Sequence, residues 1–238
     1  MHTDIGQRRN TARVAGLQYF VGAITGGFSM LYVPSILIVP GDTGATVTHI
    51  LASERLFRLG LVAGLVSQVF LLTLVLTLYR LLRDVHPQRA ALMVVFVVVG
   101  VPIACLNILN PLATLHLLSG AAYLEDLGSQ WRHAQAMLCL DSYNDGIVIA
   151  EVFWGLWLFP FGRLVIGSRL IPRILGILLI LACFGYLADC ACHFLAPELA
   201  GVVTPIATTP AAIAEFSMIL WLLIKGVRNV RPAVGEAG

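Results

Sequence analysis

Six long apolar runs punctuate the chain, near residues 14–39, 57–81, 90–118, 146–166, 171–195 and 205–226. Each has about 20 residues or more, the length an α-helix needs to cross roughly 30 Å of hydrocarbon. Backbone in lipid must satisfy its own hydrogen bonds, so such runs fold as helices. Composition agrees: 58% of residues are hydrophobic and 12% charged, where soluble domains carry about a quarter charged. The remaining polar side chains are too few to cover a soluble core. The sequence therefore predicts an all-α fold, a polytopic membrane helix bundle with six transmembrane helices, residues 1–238 forming a single transmembrane domain in contact with the lipid bilayer.

The basic residues predict an orientation. With the N-terminus inside, the cytoplasmic segments hold Arg8, Arg9, Arg13, Arg80, Arg83, Arg89, Arg163, Arg169, Arg173, Lys225, Arg228 and Arg231. Only Arg55, Arg58 and Arg132 fall outside. Positive residues collect on the cytoplasmic side, so the bias predicts N-in and C-in, a multi-pass protein of the cell membrane. Losing one span would scramble this asymmetry. The first run follows a basic segment as a signal peptide would, but it is too long and lacks a small-x-small cleavage site, so it is expected to remain as span 1.

Between the spans, residues 40–56 read as an outer connection that ends in a short helix. Residues 119–145, with Glu125, Asp126, Trp131, His133, Asp141 and Asp145, read as the longest outer loop, and 196–204 as a short outer turn. Gly22-x-x-x-Gly26 and Gly60-x-x-x-Gly64 allow close helix approach. Pro34, Pro102, Pro111, Pro160 and Pro210 should bend or interrupt helices. No convincing internal repeat is present.

Charged residues in hydrocarbon are costly and usually face a bundle interior or a wet cavity. Glu151, Asp189, His193 and Glu215 lie within spans, with Asn107 and Asn110 as neutral company. By helical rise, Asp189 lies roughly 9 Å and Glu151 about 8 Å outside the midplane, and Glu215 lies near the middle. The inner half is nearly bare of polar groups, which predicts one cavity opening outward. Tyr186, Asp189 and His193 share a helical stripe, as do Asn107, Asn110 and Thr114. The Asp189–His193 pair admits three readings: a structural hydrogen bond, a ligand-binding or proton-handling pair, or part of a metal site completed by Glu151, with Glu215 and His116 as further candidate ligands. Cys190 and Cys192 point about 200° apart on a helix and form no joint chelate. The five cysteines do not read as a disulfide framework. At the outer end of span 2, Glu54 and Arg58 are spaced i, i+4 and can pair. Arg58 could instead reach the cavity mouth.

Three segments carry a resemblance: ILASERLFRLG (50–60), IPRILGILLILACFGYLAD (171–189) and AEFSMILWLLIKGV (214–227). They are similar to blocks of a bacterial family of integral membrane proteins catalogued as a domain of unknown function, of the form E-x-LFR-x-G, P-x-x-LG-x-LL-x-x-x-G-x-GY-x-x-D and GE-x-x-x-x-x-WLL-x-x-G. Glu54, Arg58, Tyr186, Asp189, Glu215 and Trp221 fall on them, and Ala214 stands where the family pattern has Gly. The resemblance spans nearly the whole chain. It implies a bundle of six or seven helices and no particular activity.

Two functions fit these residues. One is a non-enzymatic bundle for small-ligand binding, sensing or transport, its candidate ligand-binding residues being Asn107, Asn110, Glu151, Tyr186, Asp189, His193, Glu215 and Arg58. The ligand would be a small molecule or a lipid. The alternative is an intramembrane metal-dependent hydrolase acting on a lipid, with Asp189, His193 and Glu151 around the ion. Histidine supply favours the first, since His193 alone faces inward securely. The same shortage limits a haem site, so no metal or other cofactor is expected and no catalytic residue is assigned. Nucleic-acid or dinucleotide binding has no support, for the chain carries neither a P-loop nor a G-x-G-x-x-G after a strand.

Overall fold

The computed structural model describes residues 2–228 apart from 121, 125 and 127, and the side chains of 6–228 apart from those three and 122. Glu125 and Arg231 lie outside the described residues. Among the described residues the regular structure is helical: α1 (His2–Gly27), a π-helical turn (Phe28–Tyr32), α2 (Val33–Leu37), α3 (Thr43–Ala52), α4 (Glu54–Leu82), α5 (Pro87–Asn107), α6 (Leu109–Leu118), α7 (Ser129–Leu156), α8 (Leu158–Ser168), α9 (Arg173–Leu195) and α10 (Ala200–Ile224). Among the described residues, six stretches are long and apolar enough to cross a membrane: Gly6–Leu37, Glu54–Leu82, Pro87–Leu118, Ser129–Ser168, Arg173–Leu195 and Pro197–Ile224. Leu106, Phe184, Val202 and Ile206 are more than half exposed, as side chains facing lipid should be. The protein is a multi-pass integral membrane helix bundle.

Two expectations for the connections change. Residues 129–145, read as loop, form the first four to five turns of α7. Ala136 and Leu140, four apart on one face, are buried, and Leu140 joins an apolar cluster with Val33, Leu37, Ile50, Phe57 and Leu115. The polar residues between them hide an amphipathic period that hydropathy averages away. The turn at 196–204 is likewise shorter, because α10 begins at Ala200.

Prolines account for the interrupted spans. Pro lacks an N–H and its ring crowds the carbonyl four residues earlier. Those residues are Met30 for Pro34, Asn107 for Pro111 and Leu156 for Pro160. Met30 sits in the π-helical turn, and helices α5 and α7 end at Asn107 and Leu156. The next residues, Ile108 (φ −63°, ψ −16°) and Trp157 (φ −68°, ψ −25°), tighten toward 3₁₀ geometry before the helix resumes. Pro102, Pro205 and Pro210 are accommodated inside α5 and α10.

Within the described residues the chain divides into two compact units. The first comprises Met1–Gln18, Leu74–Phe96 and Trp154–Gly238. Its buried side chains include Leu78, Leu82, Met93, Phe161, Leu164, Leu179, Met218 and Leu222. Helices α9 and α10 approach closely enough that a Cβ on Gly185 would lie 2.1 Å from the Ala207 carbonyl oxygen. Only glycine fits there. The second unit comprises Tyr19–Thr73 and Val97–Phe153, with the Leu140 cluster at its core. Both glycine pairs seen in the sequence serve it. Gly22 and Gly26 of α1 face Phe70 and Ser67 of α4, while Gly60 and Gly64 of α4 face Val33 and Ser29.

Candidate functional site

In the second unit, the break before Pro111 sets Asn107 at the end of α5 with a backbone carbonyl that proline cannot serve. The Asn107 side chain is buried, and its Nδ2 donates to the Tyr143 carbonyl of α7 at 2.8 Å. Asn110 Nδ2 donates to Asn107 Oδ1 at 2.8 Å, and Thr114 Oγ1 donates to the Ala136 carbonyl at 3.2 Å. The predicted Asn107–Asn110–Thr114 stripe is thus a polar seam holding α5 and α6 to α7. It packs tightly, since a Cβ at Gly146 would lie 2.2 Å from Asn107 Oδ1.

Beside this seam lies a cavity of about 40 Å³. At about 10–15 Å³ per water-sized group, it holds roughly three such groups. Its walls are mostly apolar, with Val33, Leu37, Phe57, Leu61 and Leu140 among them. Three polar side chains also line it: Ser29 from the π-helical turn, and Tyr143 and Asn144 from α7. The Ser29 and Tyr143 side chains share a hydrogen bond. Pro111 forms part of the wall, so the proline that frees the Asn107 carbonyl also shapes the space. The residue reading of the sequence did not single out Ser29, Tyr143 or Asn144. The stretch DSYND at 141–145 was the available signal, but it was assigned to a loop. Of the other residues named from the sequence, Glu151 is half-buried on α7. Arg58 Nε donates to Glu54 Oε1 at 2.7 Å in a half-exposed i, i+4 pair.

Tyr186, Asp189, His193 and Glu215 belong to the first unit. Helices α9 and α10 run antiparallel there, with Gly185 opposite Ala207 and Asp189 opposite Thr204. Asp189, only 5% exposed, accepts a hydrogen bond from the Thr204 hydroxyl. The Tyr186 hydroxyl donates to Glu215 Oε1 at 3.0 Å. Each acid is thereby met by a hydroxyl from the partner helix, the least costly way to keep a carboxyl group among apolar side chains. The half-buried His193 ring stands edge-on to Phe194, centroids 5.1 Å apart. None of the five cysteines forms a disulfide. Among the described residues, no three His, Cys, Asp or Glu side chains gather as the ligands of a metal ion would.

The profile of one protein family, described as Domain of unknown function (DUF4386), matches residues 14–226, from within α1 to just past the end of α10. The chain belongs to that family. The DUF4386 match covers the first two sequence blocks named above and all but the last residue of the third, and with them Arg58, Tyr186, Asp189 and Glu215. No curated protein and no solved structure matches the chain.

Proposed function

We propose that this DUF4386 protein is a ligand-binding membrane bundle, a sensor or transport-like component, and that its ligand enters the cavity beside Tyr143. One observation carries the reading: Ser29, Tyr143 and the exposed Asn144 are the polar residues bordering a small cavity whose walls are otherwise apolar. This is the usual chemistry of a small-molecule site, in which apolar walls supply affinity and a few polar groups fix orientation. The ligand is then a small molecule, or the end of a larger amphiphile, with one polar group for Ser29, Tyr143 or Asn144. Its apolar part would lie against Leu37, Phe57 and Leu140.

The arginine bias carries the orientation we assign, with both termini cytoplasmic in the cell membrane. On that orientation Ser29, Phe57, Pro111 and Tyr143 all fall toward the outer ends of their spans, so the cavity faces the outer side. Arg58, adjacent to Phe57, is then at its mouth. The Asn107–Asn110 seam fixes α7, and with it Tyr143. Asp189, Glu215 and Tyr186 hold the α9–α10 pair in register.

Thermal-shift titration of the purified protein with a series of short n-alcohols tests the reading. We expect stabilisation that rises with chain length to a limit of a few carbons and then falls as the cavity is overfilled. Tyr143→Phe should weaken it about fivefold or more, the loss of one hydrogen bond. Stabilisation that grows without limit, or that Tyr143→Phe leaves unchanged, would mean that the alcohols act on the lipid-facing surface.

A further inference from the structure

A second polar concavity lies within the first unit, far larger than the alcohol-sized cavity. The start of α1 and the end of α4 enclose a groove of about 850 Å³, within the range of small-molecule sites. Three guanidinium groups line it, Arg8, Arg80 and Arg83, against the single carboxylate of Asp84. Asp84 is held between two of them, 3.2 Å from Arg8 Nη2 and 4.0 Å from Arg83 Nε. Gln7 and Asn10 add uncharged hydrogen-bonding groups to the α1 side.

A simpler account exists for part of this. Arginines at the end of a membrane helix favour the helix dipole and reach toward the interface. That account explains Arg80 and Arg83 but not a groove of this volume, nor the matching Arg8 on another helix. The positive charge exceeds what Asp84 neutralises, so the groove is built for an anion.

The surroundings favour a lipid as the source of that anion. Val14 lines the groove and is half exposed. One turn further into each span, Leu17 on α1 and Leu76 on α4 are also about half exposed. Polar groove and lipid-facing apolar surface are therefore continuous, as a headgroup followed by acyl chains requires. A soluble anion would have no use for that continuity.

We propose that the groove between the start of α1 and the end of α4 binds the phosphate headgroup of an anionic phospholipid. Arg80 and Arg83 face the phosphate, and Gln7 and Asn10 face the polar substituent beyond it. A zwitterionic headgroup is disfavoured because its own cation would meet the arginines. This inference is independent of the ligand cavity and of which face of the membrane the groove occupies.

The test is a binding titration of delipidated full-length protein in mild detergent with dioctanoyl phosphatidylglycerol, read by thermal shift. Dioctanoyl phosphatidylcholine, glycerol 3-phosphate and inorganic phosphate are run in parallel. Saturable stabilisation by phosphatidylglycerol is expected, with phosphatidylcholine at least about tenfold weaker. Arg80→Gln/Arg83→Gln should weaken phosphatidylglycerol about tenfold or more, at the usual worth of an arginine near an anionic lipid. Arg163→Gln/Arg173→Gln, which neutralises two exposed arginines outside the groove, should leave it unchanged. Asp84→Asn removes the carboxylate that Arg8 and Arg83 now face, and should tighten binding severalfold. Equal binding of phosphatidylcholine, or equal losses in the two double variants, would overturn the proposal. A match by glycerol 3-phosphate or phosphate alone would reassign the groove to a soluble anion. Should Arg80→Gln/Arg83→Gln fail to fold, Asp84→Asn decides: tighter binding supports the proposal, and unchanged or weaker binding overturns it.

Discussion

The α9–α10 seam and the corner formed by α2, α4, α6 and α7 both place polar side chains among apolar ones, with opposite results. In the seam, backbones touch at Gly185 and Ala207, and Asp189 and Glu215 each accept from a hydroxyl across it. In the corner, Ser29, Tyr143 and Asn144 border open space. The difference teaches that a charge inside a span can be met by a hydroxyl across a helix pair and need not mark open space. The most conspicuous acids in the sequence close a helix pair, whereas ordinary polar residues surround the cavity.

Steric tolerance should separate the two regions most strongly. Gly185→Ala drives a methyl group into the Ala207 carbonyl, and is expected to cost about 1–3 kcal/mol or to prevent assembly. Gly60→Ala, whose Cβ would meet the Val33 methyls at 3.2 Å, should cost clearly less, because Val33 borders the cavity and can yield. Thermal unfolding in one detergent compares them, and equal losses would break the distinction. Next in size, Asn107→Leu removes the bond to the Tyr143 carbonyl and strands the Asn110 amide, and should cost about 1–3 kcal/mol while weakening alcohol binding as α7 loosens.

The seam's hydrogen bonds should be smaller and pairwise. Double-mutant cycles for Tyr186→Phe with Glu215→Gln, and for Asp189→Asn with Thr204→Val, are expected to give couplings of about 0.6–1.7 kcal/mol. Smallest of all, Arg58→Gln breaks an exposed ion pair and should shift stability by a few tenths of a kcal/mol.

Much of this architecture is legible in the sequence alone. Hydropathy located all six spans because a run of about 20 apolar residues has few other fates. It misplaced the start of α7, since hydropathy marks where lipid begins while a helix begins where its backbone bonds do. Ala136 and Leu140 show the period that would have revealed it. Asp189 and Glu215 were found because charge in a span is rare, and Asn107 and Asn110 because they share a face. Ser29, Tyr143 and Asn144 escaped because serine, tyrosine and asparagine near helix ends are common. A cavity is a property of what four helices leave unfilled, and no single stretch of sequence records it. Pro34 and Pro111 are expected to bend or interrupt their helices, but their part in shaping the space depends on the neighbouring helices.

The account turns on whether the cavity, and not the buried acids, takes a ligand. Saturation-transfer NMR with ethanol, on wild type, Leu140→Phe and Asp189→Asn in the same detergent, addresses it directly. Leu140→Phe fills the space with an apolar ring and little expected loss of stability. We predict saturable ethanol contact in wild type and Asp189→Asn, abolished in Leu140→Phe. Contact that survives Leu140→Phe and disappears in Asp189→Asn would return the site to the α9–α10 stripe and contradict the account.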